Sequence, residues 1–272
     1  MPELPEVETT ARGIIPVVRN QIVEAVTIRQ HRLRWDVPSS LKSLIQNRQV
    51  FEVARRAKYL LLIFEHGALL IHLGMSGRLK ILDCGVKPER HDHVDLVFSS
   101  GKMLRFNDPR RFGSIRWLDG NPLDSAELSH LGPEPFDEKF TGKMLFEVSR
   151  GRSITIKSFI MDGRVVAGIG NIYANEALFR SGIFPGRQAG RIALRRYRLL
   201  VPNIQAVLTE AIEAGGTTLR DYMAATGQPG YFEQSLQVYN REGQSCIRCD
   251  GIIRKQIISQ RATYYCGDCQ RY

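Results

Sequence analysis

YLLLIFEHGALLIHLG (59–74) decides how the first half of the chain is read. Two short apolar runs flank a Glu-His-Gly break, each too brief for a self-burying helix and rich in residues that suit strands, so the stretch is expected to fold as a deeply buried hairpin. HVDLVFSSGKMLRFN (93–107) repeats the theme with a period-two alternation around a Ser-Ser-Gly-Lys turn. Runs at 21–29, 50–56 and 114–118 have the same length and spacing. So many short strands argue for a β-sandwich or barrel rather than a parallel sheet. A short helix is expected at 40–46.

Beyond Gly132-Pro133-Glu134-Pro135 the period changes. Segments 142–148, 153–161, 171–181, 191–200 and 202–214 follow helical spacing, the last with Ile204, Val207, Leu208, Ala211 and Ile212 on one face. Pro202 is expected to divide or kink the last two, and Gly215-Gly216 to end them. The class is therefore α+β, an N-terminal β-sandwich with a leading helix followed by a helical half.

That leading helix starts within MPELPEVE (1–8). Pro5 fits a first helical turn, Glu6 and Glu8 complement the positive helix end, and Gly13 is a possible stop. Removal of Met1 would leave Pro2 with a secondary α-amine of pKa near ~8, partly neutral at physiological pH and nucleophilic towards aldehyde-level carbon. Glu3 beside it offers an acid.

The chain carries 38 Lys and Arg against 28 Asp and Glu, a net +10, and the excess is local. Residues 150–200 hold ten basic and two acidic side chains, and residues 241–272 hold six and three. A concentrated excess of this kind suits a phosphate-binding face, with a solvated helical face as the plain alternative. No apolar run approaches a membrane span and no basic-then-apolar leader is visible, so a cytoplasmic setting is expected.

The tail contains Cys246-x2-Cys249 and Cys266-x2-Cys269, the spacing of a four-cysteine zinc ribbon. Four protein ligands leave no open position, so one structural Zn2+ is expected, with a redox dithiol pair as the rival. The intervening QIISQRATYYC is expected to form the hairpin, with Arg261 in its turn. Cys84 is left over.

With these ends, and RRAKYL (55–60), HLGMSG (72–77), HDHVD (91–95), DPRRFG (108–113), HLGPEP (130–135), GIGNIYANE (168–176), GGTTL (215–219) and QRATYYC (260–266) between them, the chain closely resembles bacterial formamidopyrimidine-DNA glycosylases over its whole length. The resemblance implies a catalytic β-sandwich domain at 1–130, a helix-two-turn-helix domain at 131–238 with a lesion-capping loop at 217–239, and a zinc ribbon at 239–272. It implies a monomeric, cytoplasmic, nucleoid-associated enzyme without a small-molecule cofactor. Its partner would be damaged double-stranded DNA, from which it removes oxidised purines before nicking the strand by β,δ-elimination. Pro2 would then be the nucleophile, Glu3 an acid on the opening sugar, Lys58 the acid/base of elimination and Arg261 the later-elimination and phosphate residue. Met75, Arg110 and Phe112 would fill the void left by the everted base, Met75 and Phe112 replacing lost stacking and Arg110 hydrogen-bonding the orphaned cytosine. His91, Arg152, Asn171 and Tyr173 would join Lys58, Arg110 and Arg261 on the DNA backbone, while Glu6, Lys157 and Arg220 would approach the lesion. Arg220 stands where relatives carry lysine. Two other readings remain: an endonuclease VIII-like enzyme for oxidised pyrimidines, and a zinc-ribbon DNA-binding protein without catalysis.

Overall fold

A computed structural model describes residues 2–217 and 230–271, which divide into two compact units: Met1–Ser129 with Ile212–Glu233, and His130–Ala211 with Gln234–Tyr272. In the first unit, α1 (Leu4–Val18) precedes β1 (Val23–Ile28), the short α2 (Leu41–Ile45) and seven further strands. These are β2 (Glu52–Arg56), β3 (Tyr59–Phe64), β4 (Gly67–His72), β5 (Arg78–Asp83), β6 (Asp92–Phe98), β7 (Lys102–Asn107) and β8 (Ser114–Asp119). They form two antiparallel sheets of order β1-β6-β7-β5 and β2-β3-β4-β8.

Both expected hairpins are present, as β3–β4 and β6–β7. One apolar core draws Leu60, Leu62, Leu69 and Ile71 from one sheet and Val94, Leu96, Leu104 and Phe106 from the other, the arrangement of a sandwich. β5 was not expected from the sequence. Its Arg78, Lys80 and Asp83 dilute the apolar signal, and pairing with β7 from Arg78↔Asn107 to Asp83↔Lys102 supplies what the pattern lacks.

α1 buries Leu4, Val7, Ala11, Ile14 and Val18, a stripe at three- and four-residue intervals. The expected stop at Gly13 does not occur, and the helix continues through Pro16. Ile14 and Val18 lie in the core, and the burial they gain outweighs the roughly 1 kcal/mol helix penalty of one glycine. Pro16 is exposed, as is Arg12, whose carbonyl it leaves without an N–H partner, so water can serve that oxygen.

The second unit contains α3 (Gly142–Ser149), α4 (Ile156–Ile160), α5 (Asn171–Arg180), all but the last two residues of α6 (Leu194–Glu213) and the hairpin β9 (Ile253–Ile258) and β10 (Arg261–Cys266). The helix expected over 153–161 is shorter, because Thr155 caps it by accepting from the Ser158 N–H at 3.3 Å. The two segments expected on either side of Pro202 are one helix. Tyr197, Leu200, Val201, Ile204, Val207 and Leu208 are buried on both sides of the proline, while Pro202 and Arg198 face solvent, where the orphaned Arg198 carbonyl can be hydrated. No helix of the described residues is long and apolar enough to cross a membrane.

Candidate active site and DNA-facing residues

Pro2 and Glu3 are buried immediately ahead of α1. Glu3 is the N-cap residue, and its N–H donates to Glu6 Oε2 at 2.7 Å within a capping box. Glu6 is itself buried, and its Oε1 accepts from the Thr217 N–H at 2.8 Å. One carboxylate thus fixes both the entry to the helix and the chain at Thr217, the last residue described before 218–229.

Lys58 stands in the two-residue turn between β2 and β3, preceded by Ala57 at φ 53°. Arg55 sets that turn, donating from Nε to Glu8 Oε2 at 2.8 Å and from Nη1 to the Ala57 carbonyl at 3.0 Å. Burial works against the Glu8 carboxylate, yet hydrogen bonds from Arg55 and Arg12 hold it below the usual carboxylate range. The turn that carries Lys58 is in this way tied to the helix that carries Glu3.

His72, at the end of β4, was not singled out from the sequence. Its Nδ1 accepts from the Gly74 N–H at 3.0 Å, which leaves the proton of the neutral ring on Nε2. The ring meets Tyr59 at 5.0 Å and lines a cavity of about 190 Å³ with Arg34, Trp35 and Arg116. Burial first, then the charges of Arg34 and Lys58, pull its pKa down from 6.5 to about 4. Glu127 lines the same cavity and pairs with Arg116, so the neutral ring sits among charges of both signs.

The same shift carries a stability consequence. The unfolded chain takes up a proton at His72 as pH falls through 6.5, whereas the folded chain resists until about 4. The unfolded state therefore binds more protons in that window. The contribution is fully present above 6.5 and is lost on acidification towards 4, by at most about 3 kcal/mol. Urea unfolding at pH 7 and pH 4.5 should show a smaller acid loss for His72→Asn, whose amide oxygen can still accept from Gly74. An identical loss in both proteins would refute the assignment.

Met75 and Phe112 are exposed in two turns of the first unit, and the Arg110 guanidinium lies 4.9 Å from the Phe112 ring centre. His91 adopts φ 73° and Arg111 φ 55°. Apolar side chains left in solvent at shaped turns are candidates for insertion between bases.

In the second unit Asn171 opens α5, behind Gly168 at φ 83° and Gly170 as N-cap. Asn171 Nδ2 donates to the Ala262 carbonyl at 3.0 Å, and its buried Oδ1 has no hydrogen-bond partner among the described residues. Lys157 is buried, with Nζ donating to the Ala262 carbonyl at 2.9 Å and to Thr263 Oγ1 at 2.7 Å. Asn175 Oδ1 accepts from the Tyr264 N–H at 2.8 Å. Tyr173 lies in the core, while Arg152 is exposed beside Phe159. Arg261 is exposed as the first residue of β10, following a turn in which Ser259 and Gln260 both have positive φ, at 48° and 61°. Lys157, Asn171 and Asn175 thus fasten the strand that presents it.

Glu176, also missed, is fully buried and accepts from the N–H groups of Gln237, Val238 and Tyr239 at 2.8–3.0 Å. Burial keeps its carboxyl above the usual range against those three donors. A signal existed in GIGNIYANE: Asn171 and Asn175 fall on one helical face, and Glu176 interrupts an otherwise small and apolar stretch.

Cys246, Cys249, Cys266 and Cys269 bring four sulfurs within 4.8 Å of one another, with Sγ–Sγ separations of 3.4 Å (249–269), 3.5 Å (249–266) and 3.8 Å (246–269). A tetrahedral ion with metal–sulfur bonds of about 2.3 Å needs edges of about 3.8 Å. The Arg248 and Gly251 N–H groups point at Cys246 and Cys249 sulfur, each at 3.4 Å, where they stabilise thiolate charge. The donor set fits a closed metal site, and these separations are far beyond a disulfide bond. Arg220 lies outside the described residues, as does most of the expected capping loop.

Residues 1–115 match the family model described as the formamidopyrimidine-DNA glycosylase N-terminal domain, and residues 131–223 match the H2TH domain of the same family. The chain is 57% identical to the formamidopyrimidine-DNA glycosylase of Syntrophotalea carbinolica and 55% identical to that of Alcanivorax borkumensis, each over 271 residues with 100% of both chains covered. Among solved structures, the complex of Lactococcus lactis Fpg with an abasic site containing DNA superposes with TM-score 0.92 at 30% identity, covering 100% of both chains. A mutant of the same protein with Fapy-dG containing DNA gives 0.93, also at 30% identity and 100% of both chains. MutM (Fpg) from Thermus thermophilus gives 0.87 at 37% identity over 99% of this chain and 98% of that one.

Proposed function

The chain belongs to the formamidopyrimidine-DNA glycosylase family, and on that premise we propose that it is a bifunctional glycosylase and abasic-site lyase of base excision repair, excising oxidised purines through a Schiff base on Pro2. The observation that carries this reading is the tether between active groups of the first unit. Glu3 caps α1 under the hold of Glu6, and Arg55 ties the Lys58 turn to Glu8 on the same helix.

The steps follow from those groups. Once Met1 is removed, the neutral Pro2 nitrogen attacks C1′, the C1′–base bond breaks, and the base leaves with the electron pair and takes up the proton that the attacking nitrogen sheds. Glu3 delivers a proton to the ring oxygen as the sugar opens, and the nitrogen is left as a cationic iminium. That cation acidifies the C2′ proton, and its removal expels the 3′ phosphate. Loss of a C4′ proton then expels the 5′ phosphate, and hydrolysis frees the amine. Lys58 serves these proton transfers.

Arg152, Asn171, Arg261, His91 and Arg110 hold phosphates, with Lys58 adding its charge. Tyr173 supports α5 from the core, and Lys157 acts near the lesion through the β10 strand it braces. Glu6 approaches the everted base, and Met75, Arg110 and Phe112 occupy the gap behind it. Segments 1–130, 131–238 and 239–272 are the working domains, and the last holds one structural Zn2+ on its four cysteines. The partner is damaged double-stranded DNA, met as a monomer in the bacterial cytoplasm and at the nucleoid.

Binding that rests on several phosphate contacts weakens steeply with salt. Arg152→Gln is expected to lower the slope of log K against log salt by about one unit. An unchanged slope in anisotropy titrations would remove Arg152 from the interface. Paired excision assays separate the main reading from the pyrimidine one: faster release from 8-oxoguanine duplex than from thymine-glycol duplex is expected, and the reverse order would overturn it.

A further inference from the structure

Asp108 opens DPRRFG and is fully buried. Three donors converge on its carboxylate. Ser76 Oγ–H donates to Oδ1 at 2.7 Å, the Gly113 N–H to Oδ2 at 2.8 Å, and the Arg110 N–H to Oδ1 at 3.3 Å. The Arg110 N–H also reaches Ser76 Oγ at 3.3 Å. The Asp108 backbone extends the hub, donating its N–H to the His91 carbonyl at 3.1 Å and pairing its carbonyl with His93 Nε2 at 2.8 Å.

The two turns that Asp108 joins are pressed together. Gly74 has φ +65°, and a Cβ there would lie 2.3 Å from the Phe112 carbonyl carbon and 2.4 Å from the Gly113 nitrogen. Ser76 belongs to the turn that exposes Met75, and Arg110 and Gly113 bracket the turn that exposes Phe112. The bond from Ser76 to Asp108 spans 32 residues of sequence and is a side-chain link between them.

We propose that Asp108, acting through Ser76, is a positioning residue that locks the Met75 turn and the Arg110–Phe112 turn into one wedge, so that Arg110 reads the orphaned base from a fixed place. The inference rests on the glycosylase reading above. Two independent turns would each lose conformational entropy on entering the stack, and the clamp removes that cost beforehand. A carboxylate suits the place because donors approach both oxygens, whereas an amide would set its NH2 against one of them.

The test uses full-length protein and duplexes that carry a tetrahydrofuran abasic analogue opposite cytosine or adenine, with undamaged duplex as reference, read by fluorescence anisotropy. Wild-type protein is expected to prefer the cytosine partner. Ser76→Ala and Asp108→Asn are each expected to shrink the cytosine-to-adenine affinity ratio by about three- to ten-fold, the worth of one buried hydrogen bond. The two affinities come from one protein sample, so their ratio does not move with the folded fraction, and a merely structural role would leave it unchanged. Wild type that discriminates, with both variants equal to it, overturns the clamp alone. Wild type that binds all three duplexes alike sinks the glycosylase reading and the clamp with it.

Discussion

Borohydride added during turnover of an 8-oxoguanine duplex is expected to fix the DNA to Pro2, and protein with a blocked or uncleaved N-terminus is expected to lose both trapping and strand scission, on the order of 10³-fold or more. The reason is the availability of neutral amine. An α-amine of pKa near ~8 is about one-tenth neutral at pH 7, whereas a lysine at about 10.4 is neutral to less than one part in a thousand. The positive end of α1, beginning two residues on, further disfavours an ammonium at that place. A secondary amine also yields an iminium with no N–H to lose, so the electron sink persists whatever the pH. Pro2→Gly should still trap, more slowly, because a primary amine remains at the same site. Peptide mapping that finds the adduct on Lys58 or another lysine would end this mechanism.

Glu3 fits the same logic. It is buried at the helix entrance with its backbone N–H committed to the buried Glu6 carboxylate, so its place is set through the main chain and does not depend on the Glu3 carboxyl itself. Glu3→Gln keeps that geometry and removes the acid, which should slow base release more than cleavage of a preformed abasic site.

Features carried by local pattern were legible in the sequence. Hairpins 59–74 and 93–107 announced themselves by strand-length apolar runs with turns between them, and the cysteine spacing specified a cluster that the four sulfurs form. Features set by tertiary contact were not legible. Gly13 and Pro202 read as breakers, yet the burial of Ile14, Val18, Ile204 and Val207 carries both helices past them. β5 has too little apolar character to be seen without β7 beside it. His72 looked like one more residue of a buried strand, because its shift depends on Arg34, far away in sequence, and on Lys58. Asp108 and Ser76 were visible inside quoted motifs, but nothing in either motif says that they bond to each other.

Chelating the metal, or replacing Cys269 with serine, is expected to lower affinity for lesion duplex by about 10²-fold or more while the core of the first unit stays folded, because that core contains none of the four cysteines. On the zinc-ribbon proposal, the dependence on the ion has elementary reasons. A single two-stranded hairpin is marginal in water, and β9–β10 adds only a small cluster of Phe179, Val238, Ile253 and Tyr264 around Cys246 and Cys266. Zinc bound by such a site contributes on the order of 10 kcal/mol that becomes folding free energy. Without it the Ser259-Gln260 turn no longer holds Arg261 in place, and Lys157 is left as a buried ammonium deprived of the Ala262 carbonyl and the Thr263 hydroxyl. Lys157 and Asn171 share the Ala262 carbonyl, so its displacement takes a hydrogen bond from each, and α4 and the start of α5 should loosen as well. The loss therefore spreads from one turn to the phosphate contacts of the second unit, and added Zn2+ should reverse it for the chelated wild type but not for Cys269→Ser. Metal-free protein, with all four thiols open to a thiol reagent, that still binds lesion duplex with unchanged Kd would show that Arg261 needs no brace.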